Sequence, residues 1–169
     1  MRLLLMGFAA AGLVAAAVGC SKSTTPAGVP AAGPGFRVVW PGPPQEMPGA
    51  GGSYMATYVD RTPGRGLLYS ANVTDVGPAG ADAMSPRDLL AAYTVAFQKD
   101  EVSRKEIEHG PNKLPGLDLV GRVSGKLSRK VVVAAGTRMY TVSVTAPTEE
   151  ALRAPEVTAF FDSFAVEAK

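Results

Sequence analysis

Short segments in which apolar and polar residues alternate follow one another along most of this chain of 169 residues. A period of two places the apolar residues on one face of a β-strand and the polar residues on the other face. Because short turn-like connections are expected around 112–116, at Ser128 and at Gly136, the segments favour antiparallel hairpins. The predicted strands are residues 36–40, 53–60, 67–73, 104–109, 117–127, 130–135 and 138–145.

Two segments have helical spacing instead. The first opens on Ser85 as the N-cap, with Pro86 at the first helical position and Asp88 completing a capping box. The second runs from about residue 155 to 164. The order of three strands, helix, four strands, helix predicts an α+β fold. We expect an antiparallel β-sheet of about six to seven strands with helices packed on it.

The N-terminus has the features of an export signal. Arg2 supplies a positive charge, an apolar stretch follows, and Ala17 and Gly19 are the small residues that a signal peptidase accepts. Glycines interrupt the apolar stretch, which is shorter than the roughly 20 residues that span a bilayer. The sequence therefore favours a cleaved signal peptide over residues 1–19, and a retained transmembrane anchor is the alternative.

The run from Ala17 through Val18 and Gly19 to Cys20 resembles a lipobox, the bacterial signal for lipid attachment. The usual pattern has Leu where this chain has Ala17. The resemblance implies signal cleavage between Gly19 and Cys20, and lipidation of Cys20 with acyl chains such as palmitate. Stable anchoring takes two chains, each buried methylene contributing about 0.8 kcal/mol. The alternative is a secreted protein in which this cysteine, the only one in the chain, is a free thiol.

The segment after Cys20 is rich in Ser, Thr, Pro, Gly and Ala, which is typical of a linker that holds a domain away from a surface. The predicted organisation is a signal peptide at 1–19, a lipidated cysteine and flexible linker at 20–35, and a folded domain at 36–169. The expected location is the cell membrane or the outer membrane, lipid-anchored and facing the periplasm or the exterior. Because Ser21 is not Asp, the lipoprotein resemblance favours the outer membrane.

The domain has an opening run from Phe36 to Pro44, the capped helix in mid-chain, a run from Leu114 to Leu117 and a closing run from Phe160 to Phe164. Together these features resemble the PsbP-like superfamily, whose fold is an α/β/α sandwich around an antiparallel sheet. The resemblance spans most of residues 36–166 and includes several bacterial envelope lipoproteins of unknown role. It implies the fold and transfers no functional residue.

Composition restricts the chemistry. A net charge of +2 gives no field that would attract nucleic acid, and one cysteine excludes an internal disulfide and a Cys-rich zinc site. We expect no cofactor and no metal site.

His109 is the only histidine; its place beside a turn suggests a solvated side chain, and no Gly-x-Ser-x-Gly motif accompanies it. Glu106 and Glu108 share a strand face and are expected at a solvated edge.

Two further sets of residues are candidates for binding. The basic residues of two adjacent hairpins form a possible polar interaction surface, with an ordinary solvated sheet as the alternative: Arg122, Lys126, Arg129, Lys130 and Arg138. Four aromatic residues could line a ligand pocket or belong to the core: Trp40, Tyr54, Tyr58 and Tyr69.

The favoured hypothesis is therefore a non-enzymatic envelope lipoprotein whose domain is an interaction or accessory module. Its expected partners are membrane lipid, through the acyl chains of Cys20, and an envelope protein; the domain is expected to be monomeric. A small-molecule binder with a cleft between sheet and helix is the alternative. A hydrolase would need an arrangement of residues that the sequence does not show.

Overall fold

The computed structural model describes residues 28–76, 84–95 and 100–167. The predicted signal peptide, Cys20 and most of the predicted linker lie outside these residues. No helix within the described ranges has both the length and the apolar character needed to cross a membrane. The helices are α1 (Pro86–Val95), α2 (Glu149–Leu152) and α3 (Pro155–Ser163), with one 3-10 turn at Ala50–Gly52. The strands are β1 (Val29–Gly33), β2 (Phe36–Trp40), β3 (Gln45–Pro48), β4 (Tyr54–Val59), β5 (Leu68–Asp75), β6 (Glu101–His109), β7 (Leu114–Val123), β8 (Lys126–Ala135), β9 (Arg138–Ala146) and β10 (Ala165–Val166).

The strands form two sheets. One sheet has seven antiparallel strands in the order β3-β4-β5-β9-β8-β7-β6, and the other has three in the order β1-β2-β10. Hairpins link β4 to β5 and each consecutive pair from β6 to β9, as the short connections predict. The expected α+β class, an antiparallel sheet with helices packed on it, is confirmed.

The main core lies on one face of the seven-stranded sheet, which we call the core face. Alternate residues of β5 and β9 point into it, and β2 and α3 cover it. Complete burial of an aliphatic or aromatic side chain contributes about 1.5–3 kcal/mol, so this layer supplies much of the stability. The buried side chains of β2 and α3 that cover this core are Phe36, Val38, Trp40, Val157, Phe160 and Phe161.

The opposite face of the sheet, called the second face, is covered in part by α1. Leu90 packs there against Leu117 and Leu119 of β7 and against Val132 of β8. The capping box that the sequence predicts is present: the Asp88 amide donates to Ser85 Oγ at 3.2 Å, and the Ser85 amide donates to Asp88 Oδ2 at 3.1 Å. The hydroxyl and carboxylate thus satisfy amide groups that the first helical turn leaves unpaired.

Some local expectations differ from the structure. The turn between β7 and β8 is at Ser124 and Gly125, both with positive φ, whereas Ser128 lies inside β8 and is buried. Positive φ at both central residues is the geometry of a type I′ hairpin turn. Residues Val29–Gly33, which the composition places in the linker, form β1 and pair with β2. An edge strand tolerates Pro30, because only one side of its backbone needs partners.

Candidate functional site

The five basic residues predicted as one polar surface do not share a face. Neighbours along a strand point to opposite sides, so Arg129 lies on the core face and Lys130 on the second face. Lys130 is partly buried, and burial lowers the pKa of its ammonium group. Arg122 pairs in register with Leu127, which packs against the main core, and Lys126 pairs with Val123 on the other side. The structure therefore divides this set between two surfaces.

Two of these arginines are held by carboxylates. The guanidinium of Arg129 donates to both oxygens of Asp118, with Nε–Oδ1 at 3.1 Å and Nη2–Oδ2 at 2.8 Å, and its carbon lies 4.4 Å from the centre of the Phe161 ring. Arg138 Nε donates to Asp75 Oδ2 at 3.1 Å. These contacts join neighbouring strands and tie β8 to α3, so they have a structural role.

His109 is not the solvated residue that its place beside a turn suggests. It is the last residue of β6, and its ring lies 4.8 Å from the ring of Phe164. Its Nε2 is buried and has no hydrogen-bond partner among the described side chains. Burial lowers the pKa of the imidazole. The ring therefore belongs to the margin of the core and not to open solvent.

The two glutamates do lie together at an edge. Glu106 and Glu108 are exposed on β6, an edge strand of the seven-stranded sheet, and Lys113 Nζ lies 3.7 Å from Glu108 Oε2. Both line an open cleft of about 660 Å³ between α1 and strands β6 and β7. Its walls combine these charges with apolar side chains such as Leu90 and Leu117. Among the described residues, no three metal-ligating side chains are gathered at one place.

The aromatic candidates belong mainly to the core. Trp40 and Tyr69 are fully buried and both contact the ring of Phe160, at 5.3 Å and 5.1 Å between centroids. Tyr54 is also buried, and Tyr58 packs against Tyr69 at 5.9 Å. The rings therefore contact one another and other core residues, and the open cleft described above is lined by different residues.

A polar cluster that sequence patterns did not indicate lies beside Tyr69. Arg65 Nη1 is 2.5 Å from Glu156 Oε1 and 3.7 Å from Asp60 Oδ2, which ties the β4–β5 loop to the first turn of α3. The Tyr69 hydroxyl is buried without a hydrogen-bond partner in the described part of the chain. Burial and the carboxylates of Glu156 and Asp60 raise the pKa of Tyr69. The turn pattern at residues 61–64 predicts this loop between two strands, but not its contact with α3.

Gly19 and Cys20 lie outside the described residues, so cleavage and lipidation stay predictions. No family model matches the sequence, and no curated protein matches it. Among solved structures, the chain is similar to the solution structure of cyanobacterial PsbP (CyanoP) from Synechocystis sp. PCC 6803. The two share 13% identity over 78% of this chain and 86% of that chain, with a TM-score of 0.46.

Proposed function

We propose that this protein is a cell-envelope lipoprotein, exported, cleaved between Gly19 and Cys20, and tethered to the cell membrane or the outer membrane by acyl chains on Cys20. The carrying observation is the position of the only cysteine, at the end of an apolar export signal and directly after small residues. The Ser-, Pro- and Gly-containing residues that follow suit a tether. The domain then faces the periplasm or the exterior.

In this proposal the folded domain is an interaction or accessory module without enzymatic activity. Its single histidine packs on Phe164 with a buried Nε2, and two of its basic residues are engaged by carboxylates within the sheet. Membership of the PsbP-like superfamily is part of the proposal and is supported by where the resembling stretches lie. Phe36 of the first stretch contacts Phe164 of the last at 6.2 Å, and Trp40 contacts Phe160 at 5.3 Å.

A small-molecule binder is the second candidate, favoured by the open cleft between α1 and the β6–β7 edge. Its mixture of charged and apolar walls suits an amphiphilic ligand. Thermal unfolding with a panel of amphiphiles tests this candidate, because a ligand that binds only the folded state raises the melting temperature. An Ala91→Trp variant, which narrows the cleft, should lose the increase; an increase of the same size in that variant would contradict binding at this place.

The tether is tested by metabolic labelling with an alkyne analogue of palmitate, followed by membrane fractionation. We expect the wild-type protein to be labelled and to sediment with membranes, and Cys20→Ser to lose both properties. Ser21→Ala is the matched control, because it alters the adjacent residue and keeps the thiol. Membrane association of Cys20→Ser at the wild-type level would instead indicate that the apolar segment is retained as a transmembrane helix.

A further inference from the structure

We propose that one end of the seven-stranded sheet rests on the lipid bilayer, so that the domain has a fixed orientation at the membrane. We call this the tether end and define it by four exposed apolar residues near strand termini: Val59, Leu68, Val102 and Val123. The inference rests on the lipid attachment to Cys20 proposed above, and it adds the surface by which the domain meets the membrane.

Strand register places these residues at one end. Val59 of β4 is paired with Leu68 of β5, and the pairing continues without interruption to the far edge of the sheet. Val102 lies at the irregularity next to Glu101, and Val123 lies two residues beyond Gly121 in the outward direction. The complete row of partners is Val59, Leu68, Thr145, Ser128, Gly121 and Glu101.

Aromatic contacts show which end of the three-stranded sheet lies over the tether end of the large sheet. At one end of β2, Phe36 contacts Tyr54 and Tyr140, which lie toward the opposite end of the large sheet. At the other end of β2, Trp40 contacts Phe160, which in turn contacts Tyr69, the neighbour of Leu68. The Trp40 end of β2 therefore lies over the tether end.

The first described residues of the chain lie beside Trp40, above the tether end. Val29 is the register partner of Trp40, and Gly28 is so close to Trp40 that a side-chain carbon on it would lie 2.8 Å from the Trp40 carbonyl oxygen. The polypeptide that arrives from Cys20 thus joins the domain beside Trp40, above the tether end.

Exposed apolar side chains are concentrated there. The described residues include ten exposed large hydrophobic side chains, and six of them are the four of the tether end together with Val29 and Val39 beside the chain entry. Val102 is 60% exposed and Val59 is 51% exposed. Aliphatic side chains at a rim can enter the headgroup boundary of a bilayer. Charges of both signs flank them, such as Lys126 and Glu150, so we commit to apolar contact that does not require anionic lipid.

The length of chain before the fold supports this orientation. From Cys20 to Gly28 there are eight peptide steps, which can span about 28 Å at most. Leu68 and Asp75 mark the two ends of β5, separated by about 24 Å. The tether end can therefore meet the bilayer with a slack chain, whereas the opposite end would need an almost fully extended chain running along the domain.

The test compares two positions on the same face of β4, four residues or about 14 Å apart. Full-length lipidated protein carrying Val59→Cys or Met55→Cys is labelled with an environment-sensitive fluorophore and reconstituted into phosphatidylcholine vesicles. The two native side chains are similarly exposed, at 51% and 41%, and Cys20 is blocked by its lipid. We expect a blue shift and brighter emission on vesicle binding for Val59→Cys and no change for Met55→Cys.

Val102→Cys provides a second position at the tether end, on the edge strand β6, which four strands separate from β4, and should behave like Val59→Cys. Vesicle-bound protein with equal spectra at positions 55, 59 and 102, or with the shift only at 55, would overturn the orientation and leave the tether standing. Full-length protein whose Cys20 proves to carry no lipid, and which stays in solution, would overturn the tether and the orientation together.

Discussion

Arg129 and Asp118 face each other across β8 and β7, and the guanidinium donates to both carboxylate oxygens while it stacks on the ring of Phe161. Arg129, but not Asp118, belongs to the polar interaction surface that the sequence predicts. Its partners show that Arg129 connects the large sheet to α3, because it meets an acid on one side and an aromatic ring on the other. A planar, forked cation is needed for both contacts.

Arg129→Lys should therefore lower the free energy of unfolding by about 1–2 kcal/mol, since an ammonium group cannot make the two parallel hydrogen bonds or the same stacking contact. Urea denaturation measures the change. Arg153→Lys is the matched control, because Arg153 pairs with Glu149 at an exposed site and should cost less than about 0.5 kcal/mol. Equal losses in the two variants would contradict a special role for Arg129.

Packing of His109 on Phe164 predicts a pH dependence of stability. Burial lowers its pKa in the folded state from the ordinary value of 6.5, so the unfolded chain binds the proton more readily. The stabilisation is complete above pH 6.5 and is lost as the pH falls through the folded-state pKa. In urea denaturation at several pH values, His109→Gln should lose stability less steeply than wild type below pH 6.5. Identical slopes would show that His109 is equally accessible to protons in both states.

The environment of the buried Tyr69 hydroxyl predicts that the protein tolerates removal of this group. Because this group lacks a hydrogen-bond partner among the described residues and lies near two carboxylates, Tyr69→Phe should leave the free energy of unfolding unchanged or raise it by up to about 1 kcal/mol. Phe160→Ala, which removes a ring that touches Tyr69, should cost about 3–5 kcal/mol. A loss above about 1 kcal/mol in Tyr69→Phe, read from thermal or urea unfolding, would mean that the hydroxyl is hydrogen-bonded.

The capping box of α1 predicts that the Ser85 hydroxyl contributes to the stability of the protein. Ser85→Ala removes the oxygen that accepts the Asp88 amide and should destabilise the protein by about 1 kcal/mol, measured by urea denaturation. Ser85→Thr keeps a hydroxyl at the same place and should stay close to wild type. If the two variants were equally unstable, the loss would come from the backbone of the segment and not from the cap.

Elements with a strong local signal could be predicted from sequence. The Ser85 cap and the alternation at Leu67, Tyr69, Ala71 and Val73 have direct physical causes, and all of these apolar residues are buried. The short edge strands β1, β3 and β10 could not be found in this way. Their side chains are largely exposed and two of them contain proline, so no alternation of apolar and polar residues marks them.

The division of the predicted basic surface between two faces has a reason that the sequence itself contains. Arg129 and Lys130 are adjacent in one strand, and the period of two already required them to point to opposite faces. The Ser124-Gly125 dipeptide is likewise a turn signal in the sequence, and the structure has the turn there and not at Ser128. In contrast, the contact of Arg65 with Glu156 joins segments 91 residues apart and depends on tertiary packing that no local pattern encodes.

The pairing of β1 with β2 also determines how the domain carries a mechanical load. In the proposed lipoprotein, a pull on Gly28 from the tether end would act along the axis of β1, because β1 begins beside Trp40 and runs away from that end. Such a pull shears the ladder, so the five residue pairs from Val29–Trp40 to Gly33–Phe36 resist together instead of opening one after another. Under the proposed tether, β1 would therefore be the strand that transmits force between the domain and the membrane.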